Sequence, residues 1–403
     1  MAAGLALAGL IAPGLAQAGE DDTPWSLTLS ETVTRDSNFS RTEKPTPETV
    51  SSTAVRLSFD KIYGRQTYAL DATWAANRYH NYKKVLNNDS KNLSGSFRTG
   101  LLRDLEFTLG GNVDENLNPI QNNVSGARVV RNLRKSHDLN TSLRYGVGGD
   151  WAVVGTVDRN HLDYSEKAYA TLNADQTSQA LRVNYYSTDL LYYGLGLRQV
   201  RTDYPDRKVF GTQEVQRDTN VDFTVNWQVT GMSNLDALVS RRQSTFATDD
   251  TRKLKGWNGS IDWRFTPRGL FTYGLNWSKL TSADRQVDTY FGAPGIKSDL
   301  ATINNVTTYR AYANAQLTGK VVAGVNYSLS KSKYDYSNQG FIFTEAKFAR
   351  DSVSHNAGVY LSYQPIRAVG LRCGASMYSQ TRDQTGIRFS GRSYDCSGSF
   401  TFQ

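Results

Sequence analysis

Beyond its first eighteen residues the sequence has no apolar run approaching the roughly 18 to 20 residues that a membrane helix needs, and its mean hydropathy is −0.52. A helical membrane span is excluded there. Histidine is scarce: His80, His137, His161 and His355 are the only four. None stands in an HExxH spacing, no CxxC is present, and no glycine-flanked serine elbow appears, so no metal, cofactor or catalytic residue is expected. His137 beside Asp138, and His161 near Asp163 and Ser165, invite a triad reading. Adjacent residues of a strand point to opposite faces, however, so His137 and Asp138 do not share a site. No enzymatic activity is expected. Proline is also rare, with nine in 403 residues, which leaves extended segments largely unbroken. Charge of one sign is not concentrated: the net +8 is dispersed along the chain, so no nucleic-acid partner is expected. Loop Lys and Arg side chains are instead expected to meet the phosphates of outer-membrane lipid and lipopolysaccharide.

What the chain does have is a rhythm in which tight turns alternate with longer polar connections. The tight turns fall at Tyr63–Gly64–Arg65, Leu102 to Asp104, Gly146 to Asp150, Ser187 to Asp189, Thr230 to Ser233, Thr266 to Gly269, Thr318 to Lys320 and Gln364 to Ala368. Long loops are expected at 37–49, 83–90, 116–134, 165–175, 202–212, 244–255, 282–303, 335–350 and 381–391. This predicts an all-β fold, a transmembrane antiparallel β-barrel of eighteen strands in the bacterial cell outer membrane, with short periplasmic turns and long extracellular loops.

Within the strands apolar and polar residues alternate with the period of a sheet that has lipid on one face and water on the other. Leu105, Phe107, Leu109 and Val113 are assigned to lipid, and Glu106, Thr108, Asn112 and Asp114 to the lumen. Likewise Leu139, Leu143 and Tyr145, and Val221, Phe223, Val225 and Trp227, are assigned outward. The 23 tyrosines and 7 tryptophans suit interfacial girdles, where a ring keeps its body in lipid and its polar tip at the headgroups. Trp25, Trp151, Trp227 and Trp263 fall near the periplasmic strand ends.

Residues 1–18 read as a secretory signal peptide, with an apolar run from Leu5 to Leu15 and the small-residue pattern Ala16–Gln17–Ala18. No Lys or Arg precedes that run, the one departure from the pattern. The barrel is then expected over 19–403. Its last strand, Ser393 to Phe402, alternates aromatic residues outward and looks like the terminal signal read by barrel assembly machinery, here followed by Gln403. Both cysteines, Cys373 and Cys396, fall in this final hairpin on the lipid-facing register. They are either a cross-strand disulfide, which the periplasm permits, or two free thiols.

Several stretches carry a family resemblance: Arg35–Asp36–Ser37–Asn38, then Phe59–Asp60–Lys61 and Tyr63–Gly64–Arg65–Gln66, then Ala76–Asn77–Arg78–Tyr79–His80–Asn81–Tyr82. Here the chain resembles the EpsL-like outer-membrane β-barrels of exosortase-associated exopolysaccharide operons, also grouped with putative β-barrel porins. The resemblance implies a pore through which an exopolysaccharide reaches the cell surface. It also implies a periplasmic polysaccharide export protein that meets the barrel rim and hands over the polymer. A general diffusion porin, or an assembly partner that transports nothing itself, is the alternative.

Eighteen strands enclose an aqueous lumen. The alternation turns Arg56, Arg98, Arg144, Arg182, Arg198, Arg264 and Arg310 inward, together with Asp60, Asp71, Glu106, Asp114, Asp138, Asp158, Asp222, Asp236 and Asp262. With both signs present and no basic excess, a neutral or weakly charged polymer is favoured over a strongly acidic one. The same arginines and acids have a simpler role, pairing across neighbouring strands. Tyr186, Tyr192, Tyr312 and Tyr360 also point inward, either as stacking platforms for sugar faces or as space-filling hydrogen-bonders. The loops 116–134 and 282–303 are long enough to fold into the lumen as a constriction.

Overall fold

A computed structural model describes residues 23–118, 129–209, 212–247, 249–289, 297–340, 343–382 and 388–403. The expected signal peptide and the middle of segment 116–134 lie outside the described residues. The alternating segments form the strands β1 (Trp25–Asp36), β2 (Glu48–Tyr63), β3 (Gln66–Tyr79), β4 (Asn88–Gly100), β5 (Leu105–Leu117), β6 (Leu133–Tyr145), β7 (Trp151–Tyr164), β8 (Ala174–Thr188) and β9 (Leu191–Val209). They continue as β10 (Thr212–Thr230), β11 (Ser233–Phe246), β12 (Asp249–Phe265), β13 (Phe271–Thr289), β14 (Lys297–Thr318), β15 (Val321–Gly340), β16 (Phe343–Ile366), β17 (Val369–Arg382) and β18 (Arg388–Phe402). Each pairs antiparallel with the next, and β1 pairs with β18 from Leu27↔Phe402 to Asp36↔Ser393, closing an eighteen-stranded barrel. Closure leaves no free sheet edge in the bilayer, where an unpaired backbone group would cost several kcal/mol.

The tight turns fall where the sequence places them, and Gly64 adopts φ 59°, a left-handed conformation that glycine reaches without a Cβ penalty. The lipid face is also as expected: Leu109, Val113, Leu139, Leu143, Val221 and Phe223 are exposed. Aromatic residues ring the turn end of the barrel. Trp25 packs on Phe59 with ring centroids 4.5 Å apart, and Trp151 packs on Tyr185 at 4.7 Å.

The other end departs from expectation. Segments 202–212, 244–255, 282–303 and 335–350, read as loops, are largely strand. Pairing persists through Glu214↔Tyr204, Ser244↔Leu254, Asp288↔Ser298 and Asn338↔Ala346. The reason is physical: beyond the membrane both faces of a hairpin meet water, so the ladder continues while the apolar alternation stops. About ten residues suffice for a tilted strand to cross, whereas β13 to β16 have 19, 22, 20 and 24. Segment 83–90 holds a short helix, α1 (Lys83–Leu86), and segment 165–175 a 3₁₀ turn, Lys167–Leu172.

Cys373 and Cys396 stand directly opposite each other in the β17–β18 ladder, with Cα atoms 4.1 Å apart, and are joined by a disulfide.

Candidate functional site: the lumen wall and its constriction

Inward arginines meet inward acids on the neighbouring strand. Arg56 on β2 reaches Asp71 on β3 at 2.5 Å, and Arg98 on β4 reaches Glu106 on β5 at 2.6 Å. Arg198 on β9 meets Asp222 on β10 through two nitrogens at 2.8 and 3.2 Å. These are side chains on one face of adjacent strands, where opposite charges stabilise the sheet. Several remaining acids are held by asparagine: Asp114 by Asn116, Asp138 by Asn160, Asp262 by Asn276, and Asp236 by Asn226 and Asn234. Arg264, opposite Asn234 and Gly274, and Arg310, opposite Asn276 and Ser328, keep the inward register.

Arg144 and Arg182 differ from these. Arg144 donates to the Tyr186 hydroxyl at 2.8 Å, and Tyr186 packs on Tyr192 with centroids 5.1 Å apart. Arg182 lies against Gly194 and Gly196 of β9, both too close to it to take a side chain freely. The structure thus gathers Arg144, Arg182, Tyr186 and Tyr192 into one patch on β6, β8 and β9.

Tyr312 and Tyr360 stand elsewhere. Each lies flat over the glycine directly opposite, Gly274 and Gly324, where a Cβ would sit 2.1 and 2.2 Å from the ring. The second face of Tyr360 carries the Arg372 guanidinium, 4.2 Å from the ring centroid.

A constriction arises at β13. Its pairing with β12 ends at Gly259↔Lys279, although β12 runs on paired with β11 and β13 runs on paired with β14. Above that point β13 bends inward and approaches β9, three strands beyond its partner. Inward side chains of the wall receive it: Arg242 on β11 donates to Thr281 O at 2.8 Å, and Asn258 Oδ1 accepts the Thr281 N–H at 2.7 Å. Arg242 is held in turn by Asp218 on β10 at 2.7 Å. Gly256 leaves room, since a Cβ there would be 3.1 Å from Thr281. Beneath the bend the inward residues Gln216, Asn220, Ser240 and Ser244 are buried. The inward lean begins at Thr281, just before the segment 282–303 expected to intrude; the described parts of that segment are strand, and its tip, residues 290–296, lies outside the described residues. Arg242, Asp218, Asn258 and Thr281 escaped the sequence reading because their pairing depends on that bend, and no local pattern marks it.

Two of the resemblance-bearing stretches, 35–38 and 76–82, lie at the extracellular rim, whereas Phe59 to Gln66 form the β2–β3 turn at the other end. Asp36 Oδ1 accepts the Asn38 N–H at 2.8 Å, and the buried Asn38 side chain donates to Thr42 O and Ser390 O. The Glu48 carboxylate accepts N–H groups of Thr49, His80, Asn81 and Tyr82 at 2.8 to 3.2 Å. These stretches order two loops and the barrel seam. Also at this end, on the outer surface, His161 Nδ1 is 2.7 Å from Asp175, with His137 opposite His161 in the ladder.

No protein-family model matches the chain, and no curated protein matches it. Solved structures do. OccK1 (OpdK) of Pseudomonas aeruginosa aligns with a TM-score of 0.51 at 13% identity, over 94% of this chain and 99% of that one. A structure of the same protein with vanillate aligns equally well, again with a TM-score of 0.51 at 13% identity over 94% and 99% of the chains. The FrpB iron transporter of Neisseria meningitidis gives 0.46 at 10% identity, over 94% and 82%. By fold, lipid-facing girdle and closed ladder, the chain is an eighteen-stranded β-barrel of the outer membrane with a porin-like architecture.

Proposed function

We propose that the barrel is a channel for saccharide, serving as the exit pore of an exopolysaccharide, as its resemblance to the EpsL-like barrels implies. The observation that carries the reading is the cancelled charge of the lumen wall: Arg56, Arg98, Arg198 and Arg242 each face a carboxylate. Such a wall offers many hydrogen-bonding groups and little net field, which suits a neutral, hydroxyl-rich chain. The hairpin at β13 narrows the mouth, as a polymer exporter that must not leak small solutes requires. The short periplasmic turns leave delivery of the polymer to a separate periplasmic export protein, and the chemistry of polymerisation to other enzymes.

Single-channel recording of the purified barrel in planar bilayers tests this. Reversible block by the neutral polysaccharide from the periplasmic side, with weak ion selectivity, is the expected result. A pore indifferent to polymer would overturn it in favour of a general porin.

One observation favours a second reading, uptake of a small organic anion. Arg144 Nε and Arg182 Nε are buried without a hydrogen-bond partner near Tyr186 and Tyr192, and OpdK has been solved with vanillate. Under that reading the channel is anion-selective, and Arg182→Gln abolishes the selectivity.

A further inference from the structure

Outward-facing charges divide the barrel wall into two regions. On β3 to β9 they occur in both signs and pair: Arg78 with Asp89, Lys135 with Glu115, and Arg201 with Asp203. On β10 to β13 the described outward side chains include Arg217, Arg241, Lys255 and Lys279 and no acid. Register fixes their direction. Arg241 stands between Val221 and Trp257, both exposed to lipid, and Lys279 stands opposite Gly259, beside Trp277. Arg217 and Lys255 lie on the same faces, just beyond Val221 and Trp257. None of the four forms an ion pair among the described residues. Arg217 stands directly opposite Arg201, whose own charge is taken up by Asp203, so the Arg217 guanidinium marks the edge of the unpaired region.

The height of this patch is equally informative. Arg241, Lys255 and Lys279 follow immediately on the outward side chains Val239, Trp257 and Trp277 of their strands, and Arg217 comes after Thr219, one outward position beyond Val221, at the level where lipid headgroups begin. The Arg241 guanidinium lies 5.8 Å from the Trp257 ring centroid, so one cation is held at the boundary between acyl chains and headgroups. We propose that this face is a binding site for phosphorylated glycolipid of the outer leaflet, with Arg217, Arg241, Lys255 and Lys279 contacting its phosphates and Trp257 packing beside its acyl chains. Phosphate is the recognised chemistry, because guanidinium and ammonium groups that lack protein carboxylates match multivalent oxyanions.

The test uses the full barrel in neutral detergent, titrated with diphosphoryl lipid A, with its dephosphorylated form, and with inorganic phosphate. A variant carrying R217Q, R241Q, K255Q and K279Q is compared with a control that removes four cations from periplasmic turns, R65Q, R103Q, R268Q and K320Q. Folding of each is verified by heat-modifiable gel mobility. Each cation near an anionic surface contributes about fivefold to binding, so the patch variant is expected to bind diphosphoryl lipid A at least tenfold more weakly while the control is unchanged. Dephosphorylated lipid should bind both poorly, and millimolar inorganic phosphate should not compete. Equal losses in patch and control, or no loss in the patch variant, would overturn the site. Competition by free phosphate would overturn the lipid as its occupant. Should the fourfold variant not fold, R217Q/K255Q is compared with R65Q/R103Q by the same criterion.

Discussion

The Tyr378 hydroxyl donates to Asp36 Oδ1 at 2.5 Å across 342 positions of the chain, and lies 3.0 Å from Asn38 O. It reaches across β18 on the lumen side and ties β17 to β1, so the barrel seam has a lock in addition to its ladder. Gly391 makes the crossing feasible, since a Cβ there would stand 2.0 Å from the hydroxyl. Arg41 completes the lock, bonding Asp36 at 3.0 Å and lying 3.4 Å over the Tyr378 ring.

Removing the hydroxyl with Tyr378→Phe should cost about 1.5 to 3 kcal/mol, the range for a hydrogen bond to a charged group. The measurement is the temperature at which the barrel loses its compact gel mobility. An unchanged transition would mean that the ladder alone holds the seam.

Asp36 lies at the extracellular end of β1, where burial raises its carboxyl above the ordinary carboxylate range despite the Asn38 N–H and Arg41. A raised folded value means that the stability associated with the protonated form is present at low pH and lost as pH rises through that value. Urea midpoints of the native chain should therefore fall as pH rises through and above the ordinary carboxylate range more steeply than those of Asp36→Asn. Parallel slopes would place the titration elsewhere.

Gly324→Ala should destabilise by about 1 to 3 kcal/mol, as overpacking does, because its Cβ overlaps the Tyr360 ring. In the Gly324→Ala/Tyr360→Ala double variant most of the glycine penalty should disappear. A penalty that persists without the ring would contradict the contact.

Glu48→Gln should cost about 1.5 to 3 kcal/mol through weakened charged hydrogen bonds and speed amide exchange at His80, Asn81 and Tyr82. Exchange rates that do not change would place the ordering of that loop outside Glu48.

Arg242→Ala releases Thr281 O, and single-channel conductance should rise about twofold or more as the hairpin leaves the lumen. That factor is an order-of-magnitude expectation from widening a pore whose mouth sets its resistance. Unchanged conductance would mean that the narrowest point lies below the bend.

Strand number, turns and lipid face were legible in the sequence because lipid on one face forces the period-two pattern seen at Leu139 to Tyr145, and because tight turns such as Tyr63–Gly64–Arg65 interrupt it. The extents of β9 to β16 were not. Polar stretches such as Asp203 to Lys208 look the same whether they form a loop or a strand wetted on both faces. The inward candidates Arg56, Arg98 and Arg198 and the acids Asp71, Glu106 and Asp222 could all be placed by parity, but which acid meets which arginine could not, since register between strands is not written in either strand alone. The lock at Asp36 and the bend at Thr281 depend on partners far away in the chain, Tyr378 and Arg242.

The early end of the β12–β13 ladder has a mechanical consequence. Below Gly259 and Lys279 the wall is a hooped cylinder, whose girth is fixed by hydrogen bonds around its whole circumference. Above them it is a split sleeve, and a split sleeve keeps its stiffness along the axis while yielding around its perimeter. The girth of the mouth is therefore set by side-chain ties, Arg242 and Asn258 to Thr281, while every strand pairing below stays independent of them.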